Sequence, residues 1–148
     1  MFFDVEEAIV ARLATKLAAT TAKPKVYTAQ ELENVKDRSQ NAAAVFVAYN
    51  GISSIAPLSG NPAIVTVSVD FVVWTVTRSA SRHGSGEGTR EAADPILLAI
   101  LDALCGWRPV SGLPPLTLTD TSGPAYAEGF GYFPLAFTLT RQIRGNPN

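Results

Sequence analysis

The sequence predicts an α+β fold: an antiparallel or mixed β-sheet with two main helices packed on one face, in a single domain spanning 1–148. Three observations predict it. The first is a run from Ala63 to Thr77, AIVTVSVDFVVWTVT, dense in β-branched and aromatic residues. The second is a pair of segments with apolar residues at helical spacing, one at the N-terminus and one after residue 88. The third is a length of 148 residues without internal repeats, which suits one domain able to bury roughly 68–70% of its unfolded surface.

The elements follow in chain order. Asp4 and Glu7 have the spacing of a capping box, with Asp replacing the usual hydroxyl residue. Val5, Ile9, Leu13 and Leu17 then make an apolar stripe, so a helix is expected from Val5 to Ala19, ended by Thr20, Thr21 and Pro24. Lys25 to Tyr27 reads as a short strand, and Ala29 to Val35 as a short helix capped by Thr28. Asn41 to Tyr49 is expected to be a strand with Val45, Val47 and Tyr49 on one face. Asn50-Gly51 is a turn signal. Ile52 to Pro62, broken by Pro57 and Gly60, reads as a loop with room for a short edge strand.

In the Ala63–Thr77 strand, Val65, Val67, Val69, Phe71 and Val73 alternate with Thr66, Ser68 and Asp70, giving one buried and one wet face. Beyond Phe71 both faces turn apolar through Val72, Trp74 and Val76, so this half is covered on both sides, by a helix or by a neighbour. At about 3.3 Å per residue the strand spans nearly 50 Å, beyond the usual length of roughly three to ten residues. A bend, or protrusion from the body, is expected.

Arg78 to Gly88 is a flexible polar loop. The next helix starts at Thr89 or at Asp94, the second choice placing Pro95 at its first position. From Thr89, Pro95 lies inside and should kink it. Ile96, Leu97, Ile100, Leu101 and Leu104 form its apolar face, with Gly106 as C-cap and Pro109 blocking continuation. Leu116 to Thr119 alternates as a strand, Thr121 to Pro124 is a turn, and Gly129 to Ile143 is a final strand with Phe133, Leu135, Phe137 and Leu139 on one face. Pro134 confines its start to an edge or a bulge. Residues 144–148 should fray.

Composition narrows the function. The chain is 47% hydrophobic but only 17% charged, against about 25% in a typical soluble domain. Apolar surface left over by such a composition suits a partner. The formal net charge of -1 lacks the basic excess of a nucleic-acid binder. No apolar run reaches the about 18 residues that span a bilayer, and the acidic opening MFFDVEEAI does not resemble a signal peptide. No membrane association and no export are expected.

Candidate chemistry is sparse. Gly84, Gly86 and Gly88 lie between strand and helix, but no Lys-Ser or Lys-Thr follows them, and the acidic position that a dinucleotide fold needs about 20 residues on falls inside a helix. They read as a flexible connection, with a small-molecule-binding or enzymatic domain using the glycine loop as the alternative. His83, the only histidine, has no orienting partner in such a loop, and Cys105, the only cysteine, reads as a small buried hydrophobe beside Leu101 and Leu104. Asp94 and Asp102 are about 12 Å apart along a helix, too far to share one substrate bond. Glu6, Glu7, Glu33 and Asp37 read as helix-end and solvated charges. No catalytic, cofactor-binding or metal-ligating residue is expected.

The remaining candidates are contact residues. Arg78, Arg82 and Arg90 outnumber Glu87 around the loop, and with His83 they serve either solubility or an acidic partner surface. Trp107 reads as a plug closing the second helix against the sheet. Trp74 and Val76 are candidate interface residues, since aromatic residues are enriched at interface cores. Phe2 and Phe3 either meet a neighbouring chain or staple the first helix.

The order of these features resembles a known family. An N-terminal Glu6-Glu7-Ala8-Ile9-Val10-Ala11-Arg12-Leu13 helix precedes a long strand, an Arg/Gly loop and a helix. The segment Leu101-Asp102-Ala103-Leu104-Cys105-Gly106-Trp107-Arg108-Pro109 follows, then Gly112-Leu113-Pro114-Pro115-Leu116 and an aromatic terminal strand. The whole is similar to the tail terminator proteins of Mu-like bacteriophages. The resemblance implies a structural, non-enzymatic subunit of a closed ring, typically hexameric, at the head-proximal end of the tail tube, where it stops polymerisation and docks the head or neck. It implies as partners other copies of the chain, the tail tube protein, a head-completion or neck protein and the sheath protein, with DNA only passing through the lumen. It implies no cofactor, assembly in the bacterial cytoplasm and a final place in the virion. Another head–tail joining component, such as a neck or stopper subunit, is the alternative within the same class.

Overall fold

The computed structural model describes residues 2–31, 43–78 and 87–147. The element order is α1 (Phe2–Leu17), β1 (Lys25–Thr28), a single 3-10 turn (Ala29–Glu31), β2 (Ala44–Leu58), β3 (Asn61–Arg78), α2 (Glu87–Leu104), β4 (Thr117–Thr119), β5 (Ala125–Ala127) and β6 (Phe130–Arg144). The strands form one mixed six-stranded sheet in the order β1-β2-β3-β6-β4, with β5 also on β6. Only β1 and β2 run parallel; the other pairs are antiparallel. The α+β expectation holds.

Both helices cover one face. The α1 stripe of Val5, Ile9, Leu13 and Leu17 is buried, as is the α2 face of Ala93, Ile96, Ile100 and Leu104. They meet Val45 and Val47 of β2, Val69, Phe71 and Val73 of β3, and Phe137 and Leu139 of β6. Helix α1 starts three residues earlier than its spacing suggests, so Asp4 lies in the first turn rather than at the cap. There its charge still opposes the positive end of the helix dipole.

Helix α2 runs from Glu87 with Pro95 inside it. Pro95 and Glu91 are exposed, so the bond that proline cannot donate leaves the Glu91 carbonyl to water. Gly106 follows the helix with φ of 74°, a left-handed stop that glycine adopts without strain. The corner is then tied down. The Gly106 N–H donates to the Leu116 carbonyl at 2.9 Å, and the Leu116 N–H donates to the Trp107 carbonyl at 2.8 Å. Arg12 reaches across from α1, donating from Nε to the Ala103 carbonyl at 2.7 Å and stacking its guanidinium over Trp107 at 4.9 Å. Trp107 is half-buried against the core, as the plug reading expects. Cys105 corrects its reading: it is exposed, because Ala103 and Leu104 occupy the core-facing places of this turn.

The largest departure lies in β2. Asn50-Gly51 does not end the strand, and the short edge strand allowed for between Ile52 and Pro62 is instead the continuation of β2 to Leu58. Asn50 and Gly51 lie between the pairs Tyr49↔Phe71 and Ile52↔Val69, opposite Asp70 alone, with Gly51 at φ of 97°. This is a bulge, a second structure for which a positive-φ glycine is suited. Another shift follows between Ile52 and Ser54. The strand continues to Leu58, and the turn falls at Ser59-Gly60, with Gly60 at φ of 80°. Beyond Val47 no described strand pairs with the outer side of β2, so Pro57 breaks no ladder there. The tyrosine at the bulge has an unexpected partner: its N–H donates to a carboxylate oxygen of Glu6 at 2.9 Å. Glu6 therefore ties α1 to the sheet instead of serving as a solvated charge.

Strand β5 was not expected. It forms a hairpin with β6 through Glu128 and Gly129, at φ of 53° and 83°, the left-handed pair that a two-residue turn requires. Pro134 sits on β6 between the last residue paired to β5, Tyr132, and the first paired to β4, Ala136. That is a local edge inside an otherwise central strand. Of the expected helix from Ala29 to Val35, the described residues hold only the 3-10 turn; its remainder lies outside them, as does most of the Arg78–Gly88 loop.

One buried group carries a prediction. Thr75 is fully buried on the helix-facing side, and its Oγ1 has no hydrogen-bond partner among the described residues. A buried, unsatisfied hydroxyl costs roughly 1–3 kcal/mol. Thr75→Val is expected to stabilise the chain by about 1 kcal/mol, seen as a Tm rise of roughly 2–4 °C by calorimetry. A lower Tm would mean that the hydroxyl is satisfied in solution.

Candidate interaction surface

The sheet face turned away from the helices carries the surface of interest. On β3 the even-numbered residues point there, and their character changes along the strand. Ser68 and Asp70 occupy its middle; Val72, Trp74 and Val76 follow towards Arg78. Strand pairing sets Phe46 beside Trp74 and Ala44 beside Val76 on one side, with Pro134 and Tyr132 on the other. From β1, Tyr27 stacks on Phe46 with ring centroids 5.6 Å apart. Ala44 and Phe46 are thereby buried, with Tyr27, Trp74 and Val76 packed against them and half-exposed.

Phe46, Trp74, Val76 and Tyr132 line an open hollow of about 340 Å³, bounded also by Ala29, Ala48 and Ala125. Among the described residues, no charged side chain lines it. On the far side of Trp74 lies a second hollow of about 330 Å³, with Asp70 from β3 and Asp120, Thr121 and Ser122 from the β4–β5 connection. Trp74 is thus the ridge between an apolar and a polar depression. Among the described residues, no group of three or more His, Cys, Asp or Glu side chains is placed to hold a metal ion.

The candidate contact residues do not form one cluster. Trp74 and Val76 share the apolar hollow. Arg78 ends β3, pairs with Phe130 and holds its guanidinium 5.8 Å from that ring. Arg82 and His83 lie outside the described residues. Glu87 opens α2, and Arg90 is exposed one turn on. Phe2 and Phe3 lie near the other end of the hydrophobic layer. Phe2 stacks on Tyr49 at 5.2 Å, and Phe3 meets the same ring edge-on at 6.0 Å while remaining 62% exposed. The two phenylalanines clamp β2 rather than their own helix.

Sequence reasoning missed the second apolar surface. The end of the β2–β3 hairpin extends past the helical cover, and residues 52–58 are all exposed. Ile52, Ile55 and Leu58 are 42%, 66% and 50% exposed. Ile52 and Ile55 pair with Val69 and Val67, so they lie on the helix-facing side of the sheet, where no described helix covers them. Residues 52–60, ISSIAPLSG, carry no charge. Ile52, Ile55 and Leu58 recur every third residue, so no period-two pattern marks them; the register shift between Ile52 and Ser54 is what brings Ile52 and Ile55 to one face.

The arrangement suits burial of apolar surface against a partner more than bond-making chemistry. Among curated proteins none matches the chain significantly. The family model described as "Phage tail terminator protein" matches residues 1–147.

Proposed function

This chain belongs to the phage tail terminator family, a structural family of the virion tail, and we propose that it works as one subunit of a closed ring, six copies around, on the head-proximal end of the tail tube. In this reading the ring stops tube growth and presents its outer face to the head or neck. It acts without catalysis, and assembly takes place in the bacterial cytoplasm. The reading rests on the match over nearly the whole chain, and the resemblance of the Leu104–Pro109 corner to that of Mu-like phage terminators supports a kinship with them.

The physical logic is consistent. A ring closes by heterologous contacts, each subunit offering two different surfaces. An apolar hollow on one sheet face and an apolar hairpin end on the other supply two such surfaces. A terminator must also present unlike faces along the tube axis, one matching the last tube ring and one that does not accept another. DNA must pass through the lumen, and a net charge of -1 avoids the salt-dependent phosphate grip that would impede it.

Sedimentation velocity of the purified chain, alone and mixed with its tube protein, tests the reading. The expected outcome is a discrete multimer of the chain, or its formation on addition of tubes. A strict monomer that never cosediments with tubes would contradict it.

A further inference from the structure

We infer that the end of the β2–β3 hairpin of one copy seats in the Trp74 hollow of the next copy. The inference rests on the ring reading and names the contact that would close the ring. The hollow, lined by Phe46, Ala48, Trp74, Val76, Ala125 and Tyr132, is apolar and open. The hairpin end presents Ile52, Ile55 and Leu58 to solvent. Residues 52–60 carry no charge, and among the described residues no charged side chain lines the hollow, so seating one in the other desolvates no ion of either. Large exposed aliphatic groups clustered on one hairpin are the mark of a contact site.

The hairpin end of a copy cannot reach that copy's own hollow. Phe46 and Ile55 lie on the same strand, nine residues apart, about 30 Å at about 3.3 Å per residue. The pairing of β2 with β3 along this whole length holds them apart. Their positions also set the two surfaces on opposite faces of the sheet. Ile55 shares a face with Val67, whereas Phe46 shares the opposite face with Trp74. In the contact inferred, each copy uses its hairpin on one neighbour and its hollow on another. That is a heterologous contact, which closes into a ring when the rotation between copies permits.

The test starts from the Cys105→Ser chain, leaving no native thiol. Ile55→Cys and Ala125→Cys are prepared separately, mixed, and oxidised mildly, both in solution and on tube ends. Mixed 55–125 dimers are expected to exceed either homodimer about tenfold, and a chain with both cysteines should grow into covalent multimers. Predominance of 55–55 dimers would overturn the proposal. So would mixed cross-linking no greater than that of Leu98→Cys, an exposed residue of α2.

A second variant, Ile55→Asp, places a charge on an exposed position and should leave the melting temperature unchanged. It is expected to weaken self-association by about tenfold or more, as loss of a central apolar anchor does. Unchanged association would refute the hairpin contact and leave the ring reading standing. Wild-type chain that neither self-associates nor binds tube ends would remove both.

Discussion

Phe137→Ala is expected to cost about 3–5 kcal/mol, as large-to-small changes of a buried aromatic do. Phe137 is fully buried on β6, directly opposite Phe71 of β3, which is 1% exposed. The two rings sit in the centre of the layer beneath both helices, with Leu139 on the same strand and Ile96 and Ile100 from α2 in the same cluster. Pairing on both sides of β6, to β3 and to β4, restrains the backbone from collapsing into the cavity. Against a total stability of about 5–15 kcal/mol, the loss is large, and thermal denaturation should show a Tm lower by roughly 10 °C. Phe3→Ala, at a ring 62% exposed, should move Tm far less. Equal shifts would show that the centre of the core is elsewhere.

Gly131→Ala is the second change with a large expected effect. A Cβ at this position would fall 2.7 Å from the Phe133 ring and 2.8 Å from Thr89 Cβ and Oγ1. Neither neighbour can yield easily. Phe133 is 7% exposed and is held edge-on by Tyr126 at 5.8 Å. Thr89 is 2% exposed, and its carbonyl accepts a bond from Thr77 Oγ1 at 2.8 Å. The glycine therefore lets the first turn of α2 lie directly on β6. Overpacking of this kind costs about 1–3 kcal/mol, partly offset by the lower backbone entropy of alanine in the unfolded chain. Denaturant titration should show a lower midpoint, and adding Phe133→Leu should recover part of it. A midpoint equal to or above that of the unaltered chain would refute the close approach. The contact also fixes where the first turn of α2 lies relative to the end of β3 at Arg78.

Much of this architecture was legible in the residues. The stripe Val5, Ile9, Leu13, Leu17 fixes the buried face of α1, since a 3.6-residue period leaves little alternative. The alternation from Val65 to Val73 fixes the faces of β3, and Gly106 before Trp107 marks the end of α2. What could not be read is non-local or ambiguous. Asn50-Gly51 supplies positive φ for a turn and for a bulge alike, and only the register against Asp70 decides between them. Pro57 among serines suggests a loop, and is tolerated in a strand because that side of β2 carries no described partner. The three residues of β5 are exposed and too few to show a period. The Glu6 carboxylate meets the Tyr49 N–H across 43 residues.

The interaction surface divides in the same way. The apolar turn of β3 past Phe71 singled out Trp74 and Val76 as covered by something other than the core. The hollow they line also needs Phe46 from β2, Tyr132 from β6 and Ala125 from β5, which only the pairing registers bring together. The hairpin end is not legible in the same way, because Pro57, Gly60 and the serines of Ile52 to Pro62 suit a loop with a short edge strand as well as a long bulged strand.

Electron micrographs of tube protein polymerised with and without this chain test the central claim most directly. Added in slight molar excess over tube ends, the chain should shorten the length distribution and leave a ring of density on one end of each tube. Tubes of unchanged length, with bare ends and the chain left in solution, would contradict an account in which a folded surface, rather than a reaction, ends the growth of the tail.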